Sequence, residues 1–204
     1  MIKLEHTAVM NVKNALRGMR NPMKSWEASD SFDKFGHLVI GPKDLELARR
    51  LVKAGSDHRK FLRQIFVSVD ITAPLYWWKE YDTYKVGTVA NSTSTMHLIH
   101  TRPITREDFS CERLSPVALK CLDAVIQVIE GARQEYALSK NEKAWDDVIQ
   151  LLPSSYNQLR TCTLTFENLL NIYHARKAHK LPEWRELCTC ITYLPYFAQI
   201  CLEN

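Results

Sequence analysis

The feature that most constrains this chain is the segment opened by Ser115-Pro116. An N-cap residue followed by proline at the first helical position starts a helix cleanly. Behind it Ala118, Leu122, Val125, Ile129, Ala132 and Tyr136 repeat with a helical period held for five steps. Such a helix must bury one long stripe, so the chain needs a core built around it. Apolar residues make up 46% of the 204 residues and charged residues 25%. A chain of that composition buries enough surface to offset its ordering entropy, which excludes a disordered protein. No apolar run approaches the roughly 20 residues that cross a bilayer. The opening MIKLEHTAVMNVKNALRGMR carries charges inside its apolar stretch and does not read as a secretory signal. A soluble, intracellular, cytoplasmic protein of one domain, residues 1–204, is expected.

The remaining elements follow from local signals. Residues 31–43 are the most loop-like stretch, and Asp44 is expected to cap a helix LELARRLVKAG that Gly55 stops. Residues 63–71 are rich in β-branched and aromatic side chains and predict a strand. After Ala73-Pro74, LYWWKEYDTYK predicts a buried helix whose aromatics cover several faces. A shorter helix, EKAWDDVIQLL, ends at Pro153, and residues 159–166 alternate as a strand. Asn168 is expected to cap NLLNIYHARKA, and Pro182 to open a final helix EWRELCTCITYL. Two strand regions among five or six helices predict a helix-rich α+β fold with a small sheet.

Net charge is +4 with histidines neutral, which suits an anionic small molecule and is too small for duplex nucleic acid. The six cysteines form no CxxC pair and read as reduced, mostly core thiols. A nucleophilic Cys162 would need a basic neighbour, and Arg160 is the only candidate. Three clusters could carry chemistry. Residues 88–97, TVANSTSTMH, present consecutive hydroxyls and amides that suit phosphate oxygens or a base edge, or simply cap turns. His97 and His100, with His58 upstream, could share a metal, but no third ligand stands at a usual spacing. Asn168, Asn171, His174, Arg176 and His179 share one helix, where Arg176 either grips a phosphate or lies on a solvated face. GxGxxG, GxxxxGKS, GxSxG and HExxH are all absent.

Taken in order, these segments resemble the flavin-dependent thymidylate synthases along almost the whole chain. The resemblance is carried by Val9-Met10 and the helix after it, LELARRLVKAG with His58, QIFVSVDI leading to Ala73-Pro74, Leu152-Pro153, LRTCTLTF, ENLLNIYHARKAH and Trp184. It implies a homotetramer with sites shared between subunits. It also implies dUMP as substrate, FAD as cofactor, and methylenetetrahydrofolate and NADPH as possible further reactants. Where that family has Arg-His-Arg this chain has Thr83-Tyr84-Lys85, and Thr88, Asn91 and Ser94 fit its Ser, Asn and Ser. Met96 stands at an arginine position and Glu167 at another. The resemblance implies Ser94 as a catalytic group and Asn91, Lys85, Arg160 and Arg176 as nucleotide contacts. His58, Thr83, Tyr84, Lys85 and Asn171 are then flavin contacts. Three readings follow: a divergent flavin-dependent nucleotide enzyme, a nucleotide-binding protein without catalysis, and a structural homo-oligomer.

Overall fold

A computed structural model of the chain describes residues 2–203. Its elements run β1 (Lys3–Met10), α1 (Val12–Gly18), β2 (Phe32–Lys34), β3 (His37–Val39), α2 (Pro42–Lys53), β4 (Phe66–Pro74) and α3 (Leu75–Tyr81). They continue with β5 (Val89–Ser92), α4 (Thr95–Leu98), α5 (Pro116–Ser139), α6 (Glu142–Gln150), β6 (Asn157–Thr165), α7 (Phe166–Arg176), α8 (Pro182–Thr192) and α9 (Phe197–Cys201). Four strands form one sheet in the order β1-β4-β6-β5, and β2 and β3 form a separate antiparallel pair. The fold is helix-rich α+β with a small sheet, as the periodicity predicts.

The chain divides into two compact units. The first comprises residues 1–3, 71–83 and 91–161. Its core is the stripe of α5 packed on α6, with Leu122, Ile129, Ala132 and Val148 buried beside Ile99, Ile104 and Phe109. The Ser115 hydroxyl accepts from the Ala118 amide, and Lys140 ends α5 in the left-handed region. Trp77, Trp78 and Tyr81 of α3 are buried against one another with ring centroids 4.9–5.2 Å apart.

The second unit comprises residues 4–70, 84–90 and 162–204. Its core gathers Leu16, Phe61, Leu62, Ile65, Phe166, Leu170, Trp184 and Phe197, with Phe166 edge-on to Phe197 at 5.1 Å. Thr165 and Asn168 form a capping box at the start of α7, each side chain accepting from the other's backbone amide.

Several expectations are corrected. Residues 31–43 are not a plain loop: they contain the β2–β3 hairpin, whose turn residues Phe35 and Gly36 both take positive φ, 51° and 81°. That geometry suits a type I′ turn, and an exposed Phe gives no sequence warning of it. Asp44 does not cap α2. The helix begins at Pro42, and the Asp30 carboxylate accepts from the amides of Lys43 and Asp44, 2.9 and 3.0 Å away. A Cβ on Gly41 would lie 2.3 Å from the Asp30 carboxyl carbon, so glycine is required there. The strand expected over 63–71 starts at Phe66, because residues 60–64 form a 3-10 turn. The helix after Pro74 stops at Tyr81, three residues short of Tyr84. Asn168 occupies the third position of α7, whose N-cap is Thr165. The Pro182 helix is followed by α9. Lastly, β1 is an additional strand at the sheet edge, mostly exposed and so without an apolar alternation to reveal it. No helix among the described residues is long and apolar enough to cross a membrane.

Candidate functional site

The hydroxyl-rich stretch divides its roles. Residues 89–92 form β5, which carries Asn91 on its exposed surface. Ser94 is the N-cap of α4, its hydroxyl accepting from the His97 amide at 3.1 Å. Arg160 lies beside this stretch. Its guanidinium sits 4.3 Å over the Trp78 ring, its Nη1 donates to Asp82 at 2.7 Å, and its Nε donates to the Gln158 side chain at 3.0 Å. Gln158 in turn donates to the Thr93 carbonyl at 2.9 Å, while its own carbonyl accepts from Trp78 Nε1. Arg160 and the loop before Ser94 are therefore one connected network through Gln158, a residue with no sequence signal of its own. Thr83 is exposed and its hydroxyl is engaged by the Glu80 carbonyl at 2.7 Å. Met96 is exposed as well.

Behind the loop lies a cavity of about 450 Å³ lined by Thr72, Ser94, Thr95, Arg102, Tyr156 and Asn157 among others. Burial pushes the Tyr156 phenol up, and the Asp108 carboxylate adds to that shift. Nearby, His100 packs edge-on to Tyr136 and Trp145, at 5.3 and 5.7 Å, while His97 is exposed on α4. Among the described residues no group of three or more His, Cys, Asp or Glu is placed to hold a metal.

In the second unit Arg176 is fixed at the end of α7. Its Nε donates to the Tyr84 hydroxyl at 2.9 Å and its Nη1 lies 2.9 Å from His179 Nε2. The guanidinium stands 4.8 Å over the Trp184 ring and 5.7 Å from that of Tyr84. Planar stacking of this kind locks a rotamer-rich side chain in one orientation. The segment carrying Tyr84 is itself tied down, since Asn168 Nδ2 donates to the Val86 carbonyl at 2.7 Å. Lys85 beside it is exposed.

At the other end of α7, Glu167 is buried and accepts two-pronged from Arg59, with Nε 2.9 Å and Nη2 3.1 Å from its oxygens. The same Nη2 donates to the Asn171 side-chain oxygen at 3.0 Å. The isolated charge that Glu167 suggests in the sequence is thus neutralised by a partner 108 positions away. Only a fold reveals that pairing, because nothing local to Arg59 marks it. Adjacent His58 lines a cleft of about 600 Å³ in the same unit, with Lys43, Arg50 and Lys60 on its rim and Met19, Leu47 and Phe61 on its wall. A volume of this size lies within the range of small-molecule sites, roughly 300–1,000 Å³.

All six cysteines are free thiols. Cys162 and Cys188 are buried, whereas Cys190 is exposed, so the pair two residues apart does face opposite ways. Burial pushes the Cys188 thiol up to about 11 and the Cys201 thiol to about 12.

No known protein family and no curated protein is matched by the sequence. Over its full length the chain is similar to thymidylate synthase X (ThyX) from Helicobacter pylori, solved with FAD and dUMP. The TM-score is 0.72 at 19% identity, covering 100% of this chain and 98% of that one. A second structure of the Helicobacter pylori enzyme, complexed with FAD and dUMP, gives 0.68 at 18% identity, covering 99% and 97%. The UMP/dUMP methylase PolB from Streptomyces cacaoi, bound with 5-Br dUMP, gives 0.63 at 13% identity, covering 98% and 91%. The chain has the fold of the flavin-dependent thymidylate synthases.

Proposed function

We propose that this chain, acting as one domain over residues 1–204, binds a pyrimidine nucleotide, dUMP or a close analogue, together with FAD. On this reading it carries out reductive methylation or related chemistry at C5 of the base. The observation that carries the reading is Arg176: a guanidinium fixed by Tyr84, His179 and Trp184 is set before any ligand arrives. Preorganised cations grip phosphate with little ordering cost, and guanidinium does so two-pronged. Arg160, stacked on Trp78 and linked through Gln158 to the loop before Ser94, supplies a second fixed cation beside hydroxyl donors. Asn91 and Lys85 complete the proposed nucleotide contacts.

The chemistry of the cleft beside His58 suits FAD. Lys43, Arg50, Lys60 and His58 outweigh Glu46 and Asp57 on its surface, fitting a diphosphate, and its apolar wall fits an isoalloxazine ring. Tyr84, Lys85, Thr83 and Asn171 are the further residues proposed to hold the cofactor. When bound, FAD supplies a two-electron reductant, with methylenetetrahydrofolate as the carbon source and NADPH as the source of reducing equivalents. The protein's own contribution is a fixed guanidinium at Arg176 in the second unit for the nucleotide's phosphate and, in the first unit, Arg160 with the Ser94 hydroxyl as a donor. Donors aimed at charge developing on a pyrimidine carbonyl are worth several kcal/mol in such sites, about 10²–10³ in rate each. A cytoplasmic homotetramer is part of the proposal.

A second reading is favoured by a specific observation. Thr83 is engaged by its own helix and Asn171 by Arg59, and exposed Met96 offers no donor to a base. This fits a nucleotide binder without flavin chemistry. A visible absorption spectrum after incubation with FAD and desalting separates the two, alongside thermal unfolding with dUMP. A retained flavin band near one per chain supports the enzyme. A colourless protein stabilised by dUMP supports the binder. Neither flavin nor nucleotide stabilisation refutes both.

A further inference from the structure

In the second unit, α1 and the turn after it carry a line of positive charge that no role assigned so far uses. Lys13, Arg17 and Arg20 follow one another at four- and three-residue steps, which places them on one helical face. Like charges at that spacing repel, so the pattern destabilises the helix unless something negative lies among them. The three line a cavity of about 220 Å³, whose other walls include Trp26, Ser29 and Asp44. Arg20 and Asp44 are buried and make its floor, while Lys13, Arg17 and Trp26 stand exposed on its rim.

The acidic side of the floor is fully engaged. Arg20 Nε donates to one Asp44 oxygen at 2.5 Å, and the other accepts from the Ser29 hydroxyl at 2.7 Å and the Ser31 amide at 3.1 Å. The cations are not. Among the described residues Arg17 makes no side-chain hydrogen bond or ion pair, and its guanidinium stands 5.6 Å over the Trp26 ring. That ring is itself held, its Nε1 donating to the Asn21 side chain at 2.9 Å. Arg17 is thus an oriented cation with its fork of donors unused. Lys13 pairs with Asp33 of β2, but those side chains are 65% and 49% exposed, and a pair so exposed contributes little. Lys13 is therefore free to be recruited. Arg20 keeps a donor in reserve: Nη1 reaches the Ser25 carbonyl at 3.3 Å, and Nη2 bonds nothing among the described residues.

Charge and size then select the occupant. Three cations less one carboxylate leave the lining at +2, which a phosphate dianion cancels. The volume falls below the roughly 300 Å³ at which small-molecule sites begin, so it admits a phosphate group on a few carbon atoms and not a whole nucleotide.

We propose that this cavity is a phosphate site, distinct from the nucleotide and flavin contacts proposed above, that takes inorganic phosphate or a small organic phosphate. Arg17 grips the oxygens two-pronged from the rim, Lys13 exchanges Asp33 for the ligand, and Arg20 supports it from the floor. Arg20 also lines the cleft beside His58, so the test must tell the two cavities apart. Calorimetry on the full chain at constant ionic strength measures binding of inorganic phosphate and of glycerol 3-phosphate, with circular dichroism to verify the fold. Binding of at least one at millimolar concentration is expected, and the tighter of the two tells the free ion from the ester. It should survive in Arg176→Ala and in Lys60→Gln, fall about tenfold or more in Arg17→Gln, and fall by a smaller factor in Lys13→Gln. Arg17→Lys should recover only part of the loss, because an ammonium lacks the planar fork. No binding of either probe, binding abolished by Arg176→Ala or Lys60→Gln, or unchanged affinity in folded Arg17→Gln and Lys13→Gln would each overturn the proposal.

Discussion

The Arg59–Glu167 pair gives the sharpest quantitative expectation. The Arg59 side chain is 16% exposed and that of Glu167 9%, so both charges are largely removed from water. Among the described residues the Glu167 carboxylate accepts from Arg59 alone, through three hydrogen-bond contacts. Arg59→Met leaves that carboxylate buried without a partner. Stranding one member of a buried pair costs about 3–5 kcal/mol. The remaining exposure of Arg59 puts the expectation at the lower end, about 3 kcal/mol, or roughly two orders of magnitude in the folding constant. For a chain of this size that lowers Tm by about 6–12 °C. Glu167→Leu should cost less, because Arg59 keeps Asn171 and some access to solvent. Replacing both should return most of the stability, since an apolar pair of similar volume has no desolvation to offset. Urea unfolding followed by circular dichroism gives the four corners of the cycle. A coupling energy of about 2 kcal/mol is expected. If the two single losses simply added, to within about 0.5 kcal/mol, the pair would not be the unit described here.

Other expectations are briefer. Glu130 accepts from Arg133, from the Ile104 amide and from Gln134, and chiefly the Arg133 hydrogen bond lowers its carboxyl to about 2. A depressed carboxyl stabilises the fold above its unfolded value of about 4.5 and loses that contribution as pH falls toward 2. Acid unfolding should therefore steepen in that window and flatten in Glu130→Gln. Exposed Cys121 should react with a thiol reagent at pH 8 within minutes and Cys190, whose thiol burial and Glu186 push up, more slowly, while Cys188 and Cys201 should wait for unfolding, as mass spectrometry of labelled peptides would show. Arg176→Ala should weaken dUMP binding by tenfold or more without unfolding the chain, and an unchanged affinity by calorimetry removes it from the site. Ser94→Ala removes an N-cap worth about 1 kcal/mol from four-residue α4, so any larger loss of turnover than of stability marks a role toward substrate.

Much of the fold is legible where local rules act alone. Ser115-Pro116, the stripe of α5, the alternation of β6 and the left-handed Gly55 all require no partner to be read. Two of the failures share a cause, which is that a residue elsewhere in the sequence supplied the missing group. Asp44 looks like a cap, yet it is buried. Burial alone would raise its carboxyl, but hydrogen bonds from Ser29, Ser31 and Arg20 outweigh that and hold it below the usual carboxylate range. The capping falls instead to Asp30, fourteen residues before Asp44. Likewise a sequence shows Arg176 and Trp184 as neighbours on two helices, but not that Tyr84 comes back to complete the setting. The individual residues of the candidate site are therefore readable, and their partners are not.

Those partners decide which groups a ligand can recruit. Arg59 cannot be drawn away from Glu167 without stranding a buried carboxylate, at about 3 kcal/mol or more. Asn171 is different. Its oxygen takes one hydrogen bond from Arg59 Nη2, and the two-pronged contact to Glu167 survives if that bond is given up. One exchanged hydrogen bond costs about 1 kcal/mol, well within what a bound phosphate or flavin amide returns. Thr83 is in the same position, held by a single bond to the Glu80 carbonyl. The engagement of Asn171 is thus a shallow resting state, whereas the Arg59–Glu167 pair beside it is fixed. On the proposed reading, a cofactor held by Asn171 displaces that one bond and leaves the Arg59–Glu167 pair intact. It follows that Asn171→Ala should alter flavin affinity with little effect on stability, while Arg59→Met should alter both. A flavin-free protein in which Asn171→Ala changes nothing would instead place the weight on the nucleotide-binding reading.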